Sequence, residues 1–213
     1  MADDSVAKPR LRDADATRGR ILAAAKKEFA NSGLGGARVD VIADKAKANK
    51  RMIYHYFGSK DGLFQTVVET AYIEFRTAEQ SLKLDHLEPK AALEKLVRFI
   101  WEYFLKNPEF ITLVNSENLH RAKHLKASEA VRIYNRRYVD MMAGLLSRGV
   151  QDGVFRPGID PVQLNITIAA IGYYYLTNRH TGSIVFERDF MTKEALAARL
   201  QFNIDTIQRL VSV

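Results

Sequence analysis

Apolar side chains recur every three or four residues along most of this 213-residue chain, the spacing of helices that bury one face. Alternating runs of β-branched residues with hairpin turns, which indicate strands, are hard to find. The pattern predicts an all-α fold of about nine helices. We expect them over residues 17–31, 39–46, 50–57, 60–84, 89–106, 108–119, 128–151, 161–181 and 193–211.

Glycine and proline positions support several of these helix ends. Gly33 ends the first helix, and the segment 153–158 with two glycines marks a break. Three helices begin at a proline, which the first helical turn accepts: Pro89, Pro108 and Pro161. Residues 1–15 are predicted to be a flexible basic arm, since they precede the first helical pattern.

Two short helices joined by residues 47–49 form the layout of a helix-turn-helix. Asn49 is a suitable N-cap for the second of them, and Ser59 for the helix that follows. On a helical wheel, one half of residues 50–57 is basic and hydrogen-bonding, with Lys50, Arg51, Tyr54 and His55, and the other half carries Met52, Ile53, Tyr56 and Phe57. The polar half suits base edges and phosphates, but a surface helix that meets only water has the same pattern.

The charge distribution favours a nucleic-acid-binding head. The net charge is +7, and residues 1–64 hold 13 Lys and Arg against 8 Asp and Glu. This asymmetry is typical of a basic head on a nearly neutral body, although an ordinary basic surface would also produce it. The absence of cysteine excludes disulfides, thiolate zinc sites and cysteine nucleophiles.

Other functional classes find little support in the sequence. No nucleophile elbow, phosphate loop or catalytic triad is recognisable, so we expect no enzyme activity and no cofactor. His120, His124 and Glu117 could be considered metal ligands, but they lack a metal-binding spacing, and an exposed polar helix end explains them equally well. The polar N-terminus and the interrupted apolar segment 166–176 predict a cytoplasmic protein without a membrane helix.

The stretch from Gly36 to Ala43, continued by Ile53-Tyr54-His55-Tyr56-Phe57-Gly58-Ser59-Lys60-Asp61-Gly62-Leu63-Phe64, resembles the DNA-binding domain of TetR-family regulators. The resemblance implies a dimeric repressor that binds a palindromic operator and is released by a small-molecule effector. Residues 16–62 would then form the helix-turn-helix DNA-binding domain, and residues 63–213 the effector-binding and dimerisation domain. Lys47 departs from the family by standing where the turn usually has glycine. Arg38 stands where a capping serine or threonine is common, which predicts a weaker cap for the first of the two helices.

The resemblance also implies roles for single residues. Lys50, Arg51 and Met52 would face base edges, while Tyr54, His55, Lys60 and Arg38 would hold phosphates. With the turn residues added, the candidate DNA-binding set is Arg38, Lys47, Asn49, Lys50, Arg51, Met52, Tyr54, His55 and Lys60.

Residues 99–142 are rich in aromatic side chains with a few polar ones among them, the usual composition of a small-molecule site. Aromatic residues that only fill a helical core would look the same. The resemblance implies a pocket lined by the fourth to eighth helices. The candidate effector-binding set is Trp101, Phe104, Phe110, Asn115, Asn118, Tyr134, Tyr138, Met141, Tyr174 and Asn178.

The last two helices are expected to form a homodimer interface. The helix over residues 161–181 is apolar almost all round, and a helix of that kind needs two packing surfaces. Pairing of both helices with their symmetry mates would present two heads to a two-fold symmetric double-stranded operator. The alternative function is a sequence-tolerant DNA-binding protein without an effector.

Overall fold

A computed structural model describes residues 7–213 of the chain, with side chains described from Ala14 onward. Within this range the regular secondary structure is helical, apart from an isolated antiparallel bridge between Phe155 and Ser212. The helices are α1 (Ala7–Gly36), α2 (Val39–Ala46), α3 (Lys50–Phe57), α4 (Lys60–Gln80), a short 3-10 helix (Leu84–His86), α5 (Pro89–Lys106), α6 (Pro108–Leu119), α7 (Glu129–Gln151), α8 (Pro161–Thr177), α9 (Arg179–Val185) and α10 (Lys193–Val211).

The helical contacts divide the chain into two compact units. The first contains the described residues up to Tyr72 together with Thr112–Ser128, and the second contains Ile73–Ile111 and Glu129–Val213. The division lies within α4, beyond the boundary expected at residue 62. Two helices, α4 and α6, therefore contribute residues to both units.

The core of the first unit is built from the apolar faces of α1 to α4. Ile21 and Phe29 of α1 are fully buried, as are Ile42 of α2 and Ile53 of α3. Phe29 meets Phe64 of α4 edge-on, with ring centroids 5.1 Å apart. Burial of these side chains fixes α2 and α3 on α1, and fully burying each contributes about 1.5–3 kcal/mol.

The second unit is organised around α5, which contacts α7, α8 and α10. One continuous stripe of α5 is buried, consisting of Ala92, Leu93, Leu96, Val97, Ile100, Trp101 and Phe104. Gly149 of α7 allows Phe155 to pack, because a Cβ at Gly149 would lie 1.9 Å from the ring. No helix within residues 7–213 has the length and apolarity needed to cross a membrane.

Five helices have the bounds that the sequence predicts: α2, α3, α5, α6 and α10. The first helix begins earlier than expected. Residues 1–6 of the predicted flexible arm lie outside the described residues, but residues 7–15 belong to α1, so the arm is wrong there. Pro9 does not prevent this because it stands in the first turn, where an N–H has no intrahelical acceptor. Gly33, expected to end the helix, instead produces a kink with φ of 64°, and α1 continues to Gly36.

Two helix ends differ from the prediction. The helix expected to end near residue 84 ends at Gln80, and Lys83 then takes φ of 49°. The helix expected over residues 161–181 is divided into α8 and α9 at Asn178. There the Asn178 side chain donates to Tyr174 O at 2.9 Å, and Thr177 Oγ1 donates to Tyr173 O at 2.8 Å. Side chains that bond to their own helix carbonyls compete with the backbone ladder and favour bends in a helix.

Candidate DNA-binding site

The turn between α2 and α3 has the tight geometry of a helix-turn-helix. Lys47 adopts a left-handed conformation, with φ of 50° and ψ of 46°, and its N–H donates to Asp44 O at 3.1 Å. Asn49 Oδ1 accepts from Arg51 N at 2.9 Å, which confirms the predicted N-cap of α3. Glycine is usual at this position in the family, and Lys47 adopts the positive φ that favours glycine, so a non-glycine residue there costs about 1–2 kcal/mol.

The start of α2 is stabilised from α1 instead of by a local cap. Arg38 gives no side-chain cap, as expected from its identity. Glu28 of α1 compensates, because its Oε1 accepts from Arg38 N at 3.4 Å and its Oε2 accepts from Lys45 Nζ at 2.9 Å. The hydrogen bond from Lys45 lowers the pKa of Glu28. This carboxylate therefore ties both ends of α2 to α1.

The faces of α3 are those that the helical wheel predicts. Ile53 and Phe57 are buried, whereas Met52 and Tyr56 are half-buried. The side chains facing solvent are Lys50, Arg51, Tyr54 and His55. The outer face of α3 is thus a basic, hydrogen-bonding surface on a helix whose position is set by a buried core.

An ion pair joins α2 to this surface. Asp40 Oδ1 lies 2.5 Å from Lys50 Nζ, and Asp40 Oδ2 lies 3.8 Å from Arg38 Nη2. The hydrogen bond between Lys50 and Asp40 raises the pKa of Lys50 and lowers that of Asp40. Two candidate DNA-binding cations therefore share one carboxylate in the free protein, a contact that sequence reasoning missed.

The start of α4 lies directly after α3 in the chain and borders the candidate site. Ser59 Oγ accepts from Gly62 N at 3.0 Å, so the second predicted N-cap is confirmed. A Cβ at Gly62 would lie 2.2 Å from Phe57 O, so glycine lets α4 begin directly behind α3. Lys60 Nζ donates to Gly35 O at 3.2 Å. Most of the predicted DNA-binding residues are exposed on α3 and beside it, and Met52 and Lys60 are half-buried. The exposed ones are Arg38, Lys47, Asn49, Lys50, Arg51, Tyr54 and His55.

The candidate effector-binding residues are not all brought together. Trp101, Phe104, Phe110 and Tyr138 are buried in the second unit, where Tyr134, Met141 and Asn178 are half-buried. Tyr174, in the same unit, is 66% exposed. Asn115 and Asn118 are exposed and belong to the first unit. These positions leave effector binding by the ten residues a prediction.

A buried polar cluster in the second unit was missed by sequence reasoning. Arg76 Nη1 donates to Glu79 Oε2 at 2.6 Å, and Arg76 Nε donates to Asn135 Oδ1 at 2.8 Å. The guanidinium also lies 4.1 Å from the ring centroid of Tyr138. Desolvation raises the pKa of Glu79 to about 7 in spite of Arg76. The spacing of Arg76 and Glu79, three residues apart in a helix, was the available signal.

The polar residues in the last turn of α6 and just after it are not simply an exposed helix end, as the sequence suggested. Glu117 and His124 are buried, with His124 Nδ1 2.7 Å from Glu117 Oε2 and His124 Nε2 3.3 Å from Asp61 Oδ1. The hydrogen bond from His124 lowers the pKa of Asp61. His120 is exposed. Within the described residues, no group of three or more His, Asp or Glu side chains could hold a metal ion.

The capped turn, the buried inner face of α3 and its exposed basic outer face define a helix-turn-helix DNA-binding protein with a separate helical body. The comparisons with known proteins agree. Residues 21–67 match the family model of bacterial regulatory proteins of the tetR family, and residues 89–207 match that of the tetracyclin repressor-like C-terminal domain. The chain belongs to the tetR family of transcriptional regulators, which bind DNA and small-molecule effectors and act as dimers.

The relatives extend over nearly the whole chain. The HTH-type transcriptional repressor NicS of Pseudomonas putida is 40% identical over 200 residues, covering 94% of this chain and 94% of its own. The HTH-type transcriptional regulator RutR of Escherichia coli is 25% identical over 204 residues, covering 95% of this chain and 92% of its own. The crystal structure of SCO4942 from Streptomyces coelicolor superposes with a TM-score of 0.65 at 26% identity, over 92% of this chain and 98% of that one.

Proposed function

We propose that this regulator is a repressor that binds a palindromic operator as a homodimer and is released by a small-molecule effector. The observation that carries the proposal is the outer face of α3, where four hydrogen-bonding or basic side chains are exposed on a helix fixed by its buried face. A major groove admits a helix of this kind. The names of relatives such as NicS, which is called a repressor, support repression as the outcome.

The side chains of the head divide into two roles under this proposal. Lys50, Arg51 and Met52 at the start of α3 contact base edges, which carry the sequence information. Phosphates are held by residues around them, namely Arg38, Lys47, Tyr54, His55 and Lys60. Lys60 is in the first turn of α4, where helix N–H groups favour anions. Asn49 serves the site by capping α3.

The homodimer forms through α8 and α10. Large apolar side chains are exposed on both helices: Val162, Ile166 and Tyr174 on α8, and Phe202 and Leu210 on α10. Contiguous exposed apolar surface is uncommon on a monomer and marks an interaction site. A two-fold symmetric pairing of these faces buries them and positions two heads on two half-sites.

The effector acts in the second unit. Its buried aromatic residues, among them Trp101, Phe104, Phe110 and Tyr138, provide the apolar lining that a small-molecule site uses. By linkage, effector and operator weaken each other by the same factor, typically about 5- to 150-fold. The state that binds the effector is therefore the state that binds the operator less tightly.

The test begins with selection of bound fragments from genomic DNA, followed by footprinting. A footprint on one palindrome, with two half-sites about one helical turn apart, is expected. On that operator, Arg51→Ala should cost about 1–3 kcal/mol and relax specificity, whereas Lys60→Ala should weaken binding to all sequences alike.

Two results would contradict the proposal. Uniform coating of any duplex would favour the alternative of a sequence-tolerant DNA-binding protein. Operator affinity unchanged in both variants at moderate salt would refute the assignment of α3 and α4 to the interface.

A further inference from the structure

The ring of His124 lies between two carboxylates that come from different helices. His124 is 4% exposed, and its Nδ1 lies 2.7 Å from Oε2 of Glu117 on α6. Its Nε2 lies 3.3 Å from Oδ1 of Asp61, in the first turn of α4. The Phe64 ring meets the imidazole edge-on, with ring centroids 4.9 Å apart. The histidine therefore connects the end of α6 to the start of α4.

Both contacts require a proton on the ring. An ionised carboxylate only accepts hydrogen bonds, so each ring nitrogen must donate. A neutral imidazole has one N–H and can satisfy only one of the two carboxylates, whereas an imidazolium satisfies both. The contacts on both sides of His124 are therefore complete only when the ring is charged.

The two contacts differ in strength. Glu117 is 2% exposed, and its Oε1 also accepts from His124 N at 2.8 Å and from Leu125 N at 3.1 Å. The Asp61 side chain is 57% exposed, and its Oδ1 also accepts from Lys123 Nζ at 3.2 Å. Because the contact with Asp61 is longer and meets solvent, the neutral ring keeps its proton on Nδ1. Nε2 then faces Asp61 as one acceptor against another, which breaks this contact.

The backbone before His124 is strained into its position. Arg121 and Ala122 have φ of 57° and 54°, in the left-handed region that non-glycine residues rarely adopt. The N–H of Ala122 donates to Glu117 O at 3.0 Å. Strain of this kind persists only where the surroundings fix it, and it is often found at functional sites. The turn returns the chain to Glu117, so the two side chains can meet.

The first turn of α4 joins this contact to the candidate DNA-binding surface. Asp61 directly follows Lys60, whose Nζ donates to Gly35 O at 3.2 Å. The same turn is in direct contact with the end of α3, because a Cβ at Gly62 would lie 2.2 Å from Phe57 O. A shift of Asp61 therefore changes the position of Lys60 relative to α3.

The groups around the ring determine how pH acts on it. α6 supplies Glu117, α4 supplies Asp61, and the segment before the ring supplies Lys123, which is paired with Asp61, and His120, whose ring centroid lies 6.0 Å away. Histidine is the side chain that changes charge between about pH 5 and 8. Rising pH removes the Nε2 proton, and the contact between His124 and Asp61 is lost with it.

We propose that His124 is a positioning residue for DNA binding. As an imidazolium it joins Asp61 to Glu117 and holds the first turn of α4. Loss of the Nε2 proton releases this turn and weakens the phosphate contact of Lys60, so DNA affinity falls as pH rises. We call the three joined side chains the His124 clasp. The inference rests on the proposed function only in taking Lys60 as a phosphate contact.

The first measurement is made on the free full-length protein, by nitrogen NMR of the labelled imidazole rings. We expect protons on both ring nitrogens of His124 at about pH 6 and on Nδ1 alone at about pH 8.5. Any other distribution of ring protons would overturn the His124 clasp as a proton-dependent contact. This result depends on no DNA sequence.

The second measurement is operator affinity by fluorescence anisotropy over the same pH range. All proteins carry His55→Gln, because the histidine on the outer face of α3 would add a pH dependence of its own. With the clasp intact, affinity should fall at least about fivefold between pH 6 and 8.5. His120→Asn is the control for loss of a neighbouring exposed histidine, and it should keep this pH profile.

Two variants of Asp61 separate the hydrogen bond from the charge. In Asp61→Asn the amide can accept from the charged ring or donate to the neutral ring, so the contact survives at both pH values. Asp61→Ala loses the same charge and the contact as well. Both variants should therefore have a flat pH profile, with Asp61→Asn binding DNA several-fold more tightly than Asp61→Ala.

A profile in Asp61→Asn as steep as that of the parent, or equal affinities of the two Asp61 variants, would overturn the proposal. The series is repeated on a scrambled duplex, because phosphate contacts are the same in every sequence. Equal affinity of the parent for operator and scrambled duplex would refute the operator binding of the proposed function. The pH profiles on the scrambled duplex would still decide for or against the His124 clasp.

Discussion

Asp40 limits how strongly Lys50 attracts DNA of any sequence, and Asp40→Asn is expected to remove that limit. In the free protein the Asp40 carboxylate lies 2.5 Å from Lys50 Nζ. Phosphate oxygens must compete with it for the same ammonium group. Asparagine keeps the size of the side chain but cannot hold the cation by charge. In the variant, Lys50 becomes available to phosphates, which are alike in every sequence.

The size of the effect follows from counterion release. Each phosphate neutralised by a protein cation adds about 0.9 to the slope of log affinity against log salt. One extra contact per head steepens the slope of a dimer by about 1.8. When salt is lowered from 1 M to about 0.1 M, the variant should therefore gain roughly eightfold more affinity per head than wild type. For the dimer the extra gain is roughly sixtyfold. Operator affinity should rise less, because we propose that Lys50 contacts base edges there instead of phosphates, and specificity should therefore fall.

The assay is fluorescence anisotropy on a labelled operator and on a scrambled duplex, over a series of salt concentrations. Asp44→Asn is the matched control, because it removes the same charge from an exposed residue one turn further along α2. It should leave the slope nearly unchanged. An equal rise in scrambled-duplex affinity for both variants would show that Asp40 acts only through net charge and would refute the reasoning. An unchanged slope for Asp40→Asn would refute it as well.

Two further predictions concern stability. Lys47→Gly should raise the free energy of unfolding by about 0.5–1 kcal/mol, because it relieves the left-handed strain, and should weaken DNA binding. Lys83, with φ of 49°, is strained in the same way, so Lys83→Gly should raise the free energy of unfolding by a similar amount without affecting DNA binding. Thermal melting and anisotropy measure both, and a lower melting temperature for either variant would contradict the strain argument. The pKa of Glu79 is raised from 4.5 to about 7 in the folded protein, so between these pH values the folded state binds a proton that the unfolded state has lost. Protonation of Glu79 therefore stabilises the fold fully below about pH 4.5, and this stabilisation is lost as pH rises through 7. Measured by urea unfolding, the free energy of unfolding of wild type should fall by about 2–3 kcal/mol relative to that of Glu79→Gln between about pH 5 and 8. Glu74→Gln, at an exposed position, is the control for removal of a charge. A difference between wild type and Glu79→Gln that stays constant with pH would contradict the raised pKa.

The helices of the head were predictable because their signals are local. Asn49 caps α3 through the N–H of Arg51, a contact two residues away that the residue type alone suggests. Lys47 drew attention because the family usually has glycine at that position of the turn, and glycine is favoured where φ is positive. The inner face of α3 followed from helical spacing. Each of these inferences depends on residues close together in the chain.

The missed contacts depend on residues far apart in the chain or on polar groups that are buried. No prediction from the sequence covers Arg76 and Glu79, which Asn135 and Tyr138 of α7 contact through the Arg76 guanidinium. Glu117 was placed at an exposed helix end, whereas its carboxylate accepts from the N–H groups of His124 at 2.8 Å and Leu125 at 3.1 Å. Sequence spacing contains no information on such partners, because the backbone around them must first be folded.

The two helices shared by the compact units give effector and operator binding a covalent connection. α4 carries Asp61 in the first unit and Glu79 in the second, and α6 carries Phe110 in the second and Glu117 in the first. Within the first unit the two helices are joined through His124, whose ring nitrogens face Glu117 and Asp61. Asp61 follows α3 closely in the chain. Under the proposed function, an effector bound in the second unit weakens operator binding only if its affinity differs between two states of the protein, because equal affinity for both states would shift neither.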